Sequence, residues 1–393
     1  MEAERERRLR AARRLVIKLG TNTVTEPEGD FCAERVEPLV RSIAGLWRAG
    51  RQVVLVSSGA VGLGRGWLGL HRSRLGDLVT KQACAAVGQS LLMDAYKRLF
   101  SAWEIKVAQV LLTEEDFTAW RRFSNLRHTI EKLLQFGVIP IINENDTVST
   151  AELATVETGP RAVPFSDNDR LAALVMSGLE ADALVLLTNV NGFIRTGPPG
   201  AATSANGAAE EIVPLIHEIT PELRALAAGP SASGRGGMST KLEAAEIAMS
   251  CGGTAVIANG QVPGILERIF AGERVGTAFL ASKRMRGKRR WIAFAADVQG
   301  RIVVDPGAQR ALAQGKASLL ASGVVRIEGH FSAKDVVSIV DREGREFARG
   351  IADCASHEAE ERLGKKGATA GKARGAAAAR ILVRRDNIVL LQK

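Results

Sequence analysis

The sequence predicts an α/β protein, a three-layer sandwich with a mostly parallel central sheet, followed by a small β-rich C-terminal domain. Three observations predict this. Short, continuously apolar segments alternate with longer stretches of helical spacing through the first ~280 residues, the pattern of a parallel sheet covered on both faces. Polar residues collect where those apolar segments end, which is where ligands sit in such folds. A basic run, KRMRGKRR at 283–290, then separates this region from a tail of short strands with hairpin signals.

The elements follow in order. LVIKLG (15–20) is a buried strand closing on a glycine. Residues 33–50 carry apolar side chains at Val36, Leu39, Val40, Ile43, Leu46 and Trp47, one face of a helix that ends at Gly50. QVVLVSSG (52–59) is a second strand, 79–100 a helix, KVAQVLLT (106–113) a strand and 120–136 a helix. GVIPIINEND (137–146) is a strand with a polar end. Residues 168–179 are helical, ALVLLTNV (183–190) is a strand, 240–251 is helical and TAVIANG (254–260) is a strand. The breaker-rich segments 196–208 and 229–239 are loops, as is the low-complexity stretch 364–379. The expected domains are a charged lead-in over 1–12, a catalytic domain over 13–282, a basic linker over 283–290 and a β-rich domain over 291–393.

Composition removes several function classes. With 46% hydrophobic and 24% charged residues the chain is globular in character. No apolar run reaches the ~18 residues of a membrane span, and the charged N-terminus lacks the apolar stretch of a signal peptide. Cys32, Cys84, Cys251 and Cys354 are widely spaced and form no CxxC pair. Nothing in that spacing suggests a disulfide framework or a zinc site, and a reducing, cytoplasmic setting fits best. His128 and His217 stand alone in the sequence, without the partners catalysis requires. The net charge of +10 is concentrated in residues 1–14 (+3), 283–290 (+6) and 356–393 (+5). Such peripheral runs are solvated connectors or contacts for nucleic-acid phosphates.

Four motifs carry chemistry. SSGAVGLG (57–64) places small residues directly after a strand, where backbone N–H groups can approach an anion. GRGGMSTK (234–241) brings exposed amides, two hydroxyls and a lysine to the start of a helix, an arrangement suited to triphosphate charge. Lys18 sits near the carboxyl end of an apolar strand, a costly place unless the ammonium is paired or used. NEND (143–146) and SDND (166–169) supply carboxylates and amides that suit Mg²⁺, an ammonium group or a lysine pair. Together they fit phosphoryl transfer to a carboxylate. That acceptor is already ionised and needs no base, so catalysis reduces to positioning and charge stabilisation.

In this order VIKLGTN, VLVSSGAVGLG, KQACAAVGQ, IPIINENDTV, SDND and GGMSTK resemble the amino-acid kinase family, and within it the members that phosphorylate the γ-carboxylate of L-glutamate. The tail, with GHFSAKDVVSI and VRRDNIVLL, resembles a PUA domain. The resemblance implies catalytic roles for Lys18 and Lys241, which contact the phosphates, and for Asp169, which orients both lysines. It implies substrate binding by Ser58, Asp146 and Asn168, with Asp146 suited to the ammonium group and Asp167 a neighbouring candidate. It implies nucleotide binding by Lys18, Gly20, Gly59, Thr188, Asn189, Arg235, Gly236, Gly237, Met238, Ser239, Thr240 and Lys241. The cofactor it implies is Mg²⁺ with ATP; no metal ligand on the protein is assigned. It further implies proline as an inhibitor, RNA contact through the PUA-like domain, no membrane partner, and a homo-oligomer, dimer or tetramer. Three segments depart from the family pattern, one of them the loop 147–165, whose length is preserved but whose end is unusual. Asn189 stands where an aspartate is usual, within Thr188–Ile194, and Arg235 stands where a threonine is usual. The rival readings are a kinase for another small acid and an RNA-binding protein built on an inactive kinase fold.

Overall fold

A computed structural model describes residues 2–71, 75, 77–113, 115–148, 168–194, 212–227, 237–281, 285, 287–315, 317–364 and 381–391. The loop expected at 196–208, that at 364–379 apart from Gly364, and most of that at 229–239 lie outside these residues. The chain divides into two compact units, one of Met1–Phe117 and Arg121–Met285, the other of Thr118–Trp120 and Arg286–Lys393.

The first unit is built on eight strands: β1 Arg14–Leu19, β2 Gln52–Ser57, β3 Lys106–Leu112, β4 Val138–Glu144, β5 Ala183–Thr188, β6 Leu215–Ile216, β7 Thr254–Asn259 and β8 Thr277–Leu280. Their order across the sheet is β3-β4-β2-β1-β5-β7-β8-β6. All neighbours are parallel except β7 and β8. The apolar, β-branched runs read from the sequence are these strands, and their register brings the carboxyl ends of β1, β2 and β5 side by side. Lys18 lies between Val56 and Leu186.

Strand periodicity decides which residues meet which helices. Leu15, Ile17 and Leu19 point into a core shared with the helices Ala33–Arg48, Leu78–Ser101 and Ile265–Phe270. Lys18, between Ile17 and Leu19, therefore emerges on the opposite face. The helices Asn168–Leu179 and Met238–Ser250 pack together on that face, which completes the three layers.

The segment expected as a solvated lead-in is folded over residues 2–12. Glu2–Ala11 is a helix in which Leu9 is fully buried. Arg5 is buried beside it and donates to the carbonyls of Glu273 at 2.8 Å and Val275 at 2.7 Å. Its exposed side carries Glu4–Arg7 and Glu4–Arg8 pairs, so charge composition hid a two-residue buried stripe at i, i+4.

The second unit holds a six-stranded sheet: β9 Val298–Val304, β10 Leu319–Leu320, β11 Val324–Glu328, β12 Val336–Val340, β13 Glu346–Ala352 and β14 Ile381–Leu390. The order is β10-β14-β13-β12-β9-β11, antiparallel except for β12 against β9. The hairpin expected at Asp341–Gly344 joins β12 to β13. Gly344 has φ +81°, and Asp341 accepts from the Arg345 N–H at 2.8 Å. The expected linker 283–290 is folded in part, because Gly287–Arg290 is a helical turn of this unit with Arg290 buried. Lys288 donates to Asn387 Oδ1 at 2.9 Å.

Candidate active site

At the carboxyl ends of β1, β2, β4 and β5 a cavity of about 380 Å³ opens. Lys18, Gly20, Ser58, Gly59, Asp146, Asn168, Thr188, Asn189 and Lys241 all line it. Gly20 precedes a helical turn, Thr21–Val24, that begins where β1 ends. Gly59 joins β2 to the helix Ala60–Trp67 with φ +108°, a conformation that disfavours any residue with a Cβ. The Ser58 N–H donates to the Leu19 carbonyl at 3.2 Å, tying the two strand ends together.

Beneath the cavity lies a buried charge cluster. Asp169, in the first turn of the helix Asn168–Leu179, has no exposed surface. Its Oδ1 is 2.7 Å from Lys18 Nζ and its Oδ2 is 2.9 Å from Lys241 Nζ. Lys18 is 6% exposed and Lys241 7%. Thr240 Oγ1 lies 3.4 Å from Asp169 Oδ2 and donates to the Gly237 carbonyl at 2.9 Å. Burial by itself would raise the Asp169 carboxyl; the ammonium groups of Lys18 and Lys241 outweigh it and hold the group below the ordinary aspartate range. The cluster has two cations and one anion, so a net positive charge remains at the cavity floor, where an incoming anion is favoured.

A second cluster surrounds Asn168. Its Nδ2 lies 2.9 Å from Ser58 Oγ, 3.0 Å from the Ser57 carbonyl and 3.0 Å from Asn143 Oδ1. Asn143 Nδ2 donates to Gln89 Oε1 at 2.9 Å. The hydroxyls of Ser57 and Tyr96 are 2.8 Å apart. Gln89 and Tyr96 come from the helix Leu78–Ser101. This helix can approach because it meets the helix Ala60–Trp67 backbone to backbone. A Cβ on Gly64 would stand 1.8 Å from the Cys84 carbonyl oxygen, and one on Gly88 1.7 Å from that of Ala60.

Most of the expected site residues thus converge. Gly237, Met238, Ser239 and Thr240 form the N-terminal end of the helix Met238–Ser250, with Lys241 reaching the cavity. Asp167, Arg235 and Gly236 lie outside the described residues. Sequence reasoning missed Asn22, Thr23 and Lys81 at the cavity wall, and Gln89 and Tyr96 behind it; Asn143 and Glu144, which also line the cavity, were marked only as members of NEND (143–146). Lys81 and Gln89 fall inside KQACAAVGQ, so the motif was visible but not which of its residues turn inward. Among the described residues, no three His, Cys, Asp or Glu side chains gather as a metal site. No described helix is long and apolar enough to cross a membrane.

The sequence profile described as the Amino acid kinase family matches residues 13–259, and that of the PUA domain matches residues 300–370. A glutamate 5-kinase of Moorella thermoacetica is 44% identical over 392 residues, covering 99% of this chain and 99% of that protein. One from Myxococcus xanthus is 48% identical over 347 residues, 88% of this chain and 87% of that protein. The solved structure of UMP kinase from Bacillus anthracis overlaps 69% of this chain and 97% of its own, at 17% identity with a TM-score of 0.46. With a profile matched across more than half its length and relatives of this identity along nearly all of it, the chain belongs to the amino acid kinase family, and it carries a PUA domain behind its kinase region.

Proposed function

We propose that the chain transfers the γ-phosphoryl group of ATP to the γ-carboxylate of L-glutamate, giving ADP and L-glutamyl 5-phosphate, the opening step of proline synthesis in the cytoplasm. The observation that carries the reading is the Lys18–Asp169–Lys241 cluster under a polar cavity at the strand ends. The names of the full-length relatives point to the same substrate.

The γ-carboxylate is ionised at neutral pH, its ordinary pKa being ~4.3, so no residue need remove a proton. One carboxylate oxygen attacks phosphorus in line; the P–O bond to ADP breaks and its electron pair leaves with ADP. Lys18 and Lys241 stabilise the charge on the transferred group and on the leaving oxygen. Asp169 touches neither reactant and holds both ammonium groups in place. Ser58 and Asn168 orient the glutamate, with Asp146 on its ammonium group. Thr188, Asn189, Gly20 and Gly59 border the nucleotide. Mg²⁺ accompanies ATP. Bound there, the ion would offset phosphate charge, and no three His, Cys, Asp or Glu side chains gather to hold it among the described residues.

Enzyme, Mg-ATP, glutamate and hydroxylamine together should form the γ-hydroxamate, because an acyl phosphate is trapped that way. Absence of any glutamate-dependent product would end this reading. Proline is proposed to compete at the glutamate site of a dimeric or tetrameric enzyme, raising the apparent KM for glutamate; activity indifferent to proline would remove that part. The PUA match supports an RNA contact, whose affinity should fall as salt rises.

A further inference from the structure

We propose that Asn168 meets the substrate through its carbonyl oxygen, selecting an acid that carries an α-ammonium group, and that Gln89, acting through Asn143, is the positioning residue that keeps it so. The inference rests on the glutamate-kinase reading above and extends it to substrate selectivity.

The orientation of each amide follows from a partner that can only donate or only accept. The backbone N–H of Glu144 lies 2.9 Å from one side-chain atom of Asn143. An N–H can only donate, so that atom is Oδ1, and Nδ2 must lie on the other side. There it meets Gln89 Oε1 at 2.9 Å. Asn143 Oδ1 also receives Asn168 Nδ2 at 3.0 Å. The Ser57 carbonyl, which can only accept, draws the same Nδ2 from a second direction at 3.0 Å. With Ser58 Oγ as a third acceptor at 2.9 Å, the Asn168 NH₂ group is fully engaged with protein. The atom Asn168 offers to the cavity it lines is therefore Oδ1. An acceptor lining the same cavity as the Asp146 carboxylate favours a group that donates, and an ammonium donates three times.

Gln89 is the far end of this chain of bonds. It is 8% exposed, and its Nε2 is buried without a hydrogen-bond partner. A buried amide with one unsatisfied end is destabilising, and a methionine would fill similar space without that defect. What a methionine could not do is accept from Asn143. Without that acceptor Asn143 Nδ2 loses its hydrogen-bond partner among the described residues, and the side chain is free to leave the rotamer in which its oxygen meets Asn168.

The test compares L-glutamate with glutarate, which lacks the amine, in the full-length enzyme and in Gln89→Met and Gln89→Glu. The wild type must form hydroxamate from glutamate; if it does not, the functional reading fails and not this inference alone. Given that activity, Gln89→Met should raise KM for glutamate about fivefold or more. It should leave KM for ATP and kcat within about twofold, and lower the glutamate-over-glutarate preference by a similar factor. Gln89→Glu keeps an acceptor and should keep the preference. The inference is overturned if Gln89→Met retains the wild-type preference, if glutamate and glutarate suffer equally, or if Gln89→Glu loses as much preference as Gln89→Met. Should Gln89→Met fail to fold, Gln89→Leu takes its place under the same outcomes. If neither apolar variant folds, wild-type preference in Gln89→Glu supports the inference and its loss overturns it.

Discussion

Replacing Asp169 with asparagine gives the sharpest test of the buried cluster. The substitution changes almost no volume, but it removes the one anion between two buried ammonium groups 2.7 Å and 2.9 Å away. Taking one partner from a buried ion pair costs about 3–5 kcal/mol. At ~2–4 °C per kcal/mol for a domain of a few hundred residues, the melting temperature should fall by roughly 6–20 °C. The pH dependence carries the diagnostic sign. Lys18 and Lys241 hold the Asp169 carboxyl low in the folded protein. Its stabilisation is therefore complete above the unfolded aspartate pKa of ~3.9 and is lost as pH falls through the folded value. The gap in melting temperature between wild type and Asp169→Asn should be widest near neutral pH and close on acidification. Paired thermal scans from neutral pH down to about pH 2 measure this directly. A gap below about 2 °C at neutral pH, or one that does not change with pH, would refute the assignment of Asp169 as the anion binding both lysines.

Two further outcomes are expected. Lys18→Ala and Lys241→Ala should each lower kcat by about 10²–10³-fold with far-ultraviolet circular dichroism unchanged; a variant that keeps wild-type kcat has no role in the transferred charge. Tyr96 is the only tyrosine of the chain, and burial pushes its hydroxyl well above the ordinary phenol range despite the bond to Ser57. The native protein should therefore show no phenolate absorbance as pH passes ~10. It should lose stability above that pH, with phenolate appearing only on unfolding. Smooth titration of the folded state near the ordinary value would contradict the buried placement.

The central sheet was legible because continuously apolar, β-branched runs such as 52–57 and 183–188 have few other homes than a doubly covered strand. Lys18 was legible for the opposite reason, since a lysine in an apolar strand violates the local pattern, and Lys241 was legible as part of GRGGMSTK (234–241). What sequence could not show was the meeting of residues far apart in the chain. Gln89 and Asn143 are separated by 54 positions and Asn168 and Ser57 by 111, and only the strand order brings them together. The long helix Leu78–Ser101 has polar residues on its buried side, so periodicity could not mark Gln89 as an inward residue. The N-terminal helix was missed because charged side chains outnumber its buried pair.

The backbone contact at Gly64 and Gly88 has a consequence for how this site can change. Side-chain interfaces yield, because rotamers shift and alternative residues repack. Two bare backbones in contact have no such slack. The helix bearing Gln89, Tyr96 and Lys81 is therefore held at a fixed distance from the strand ends, like a calliper set once. A substitution at either glycine cannot widen the cavity in small steps, because its Cβ would meet backbone oxygen at 1.7–1.8 Å and drive the two helices apart at once. Altered substrate length must come from exchanging residues on the wall itself, and a directed-evolution search for longer acids should accumulate changes at the strand ends while leaving both glycines untouched.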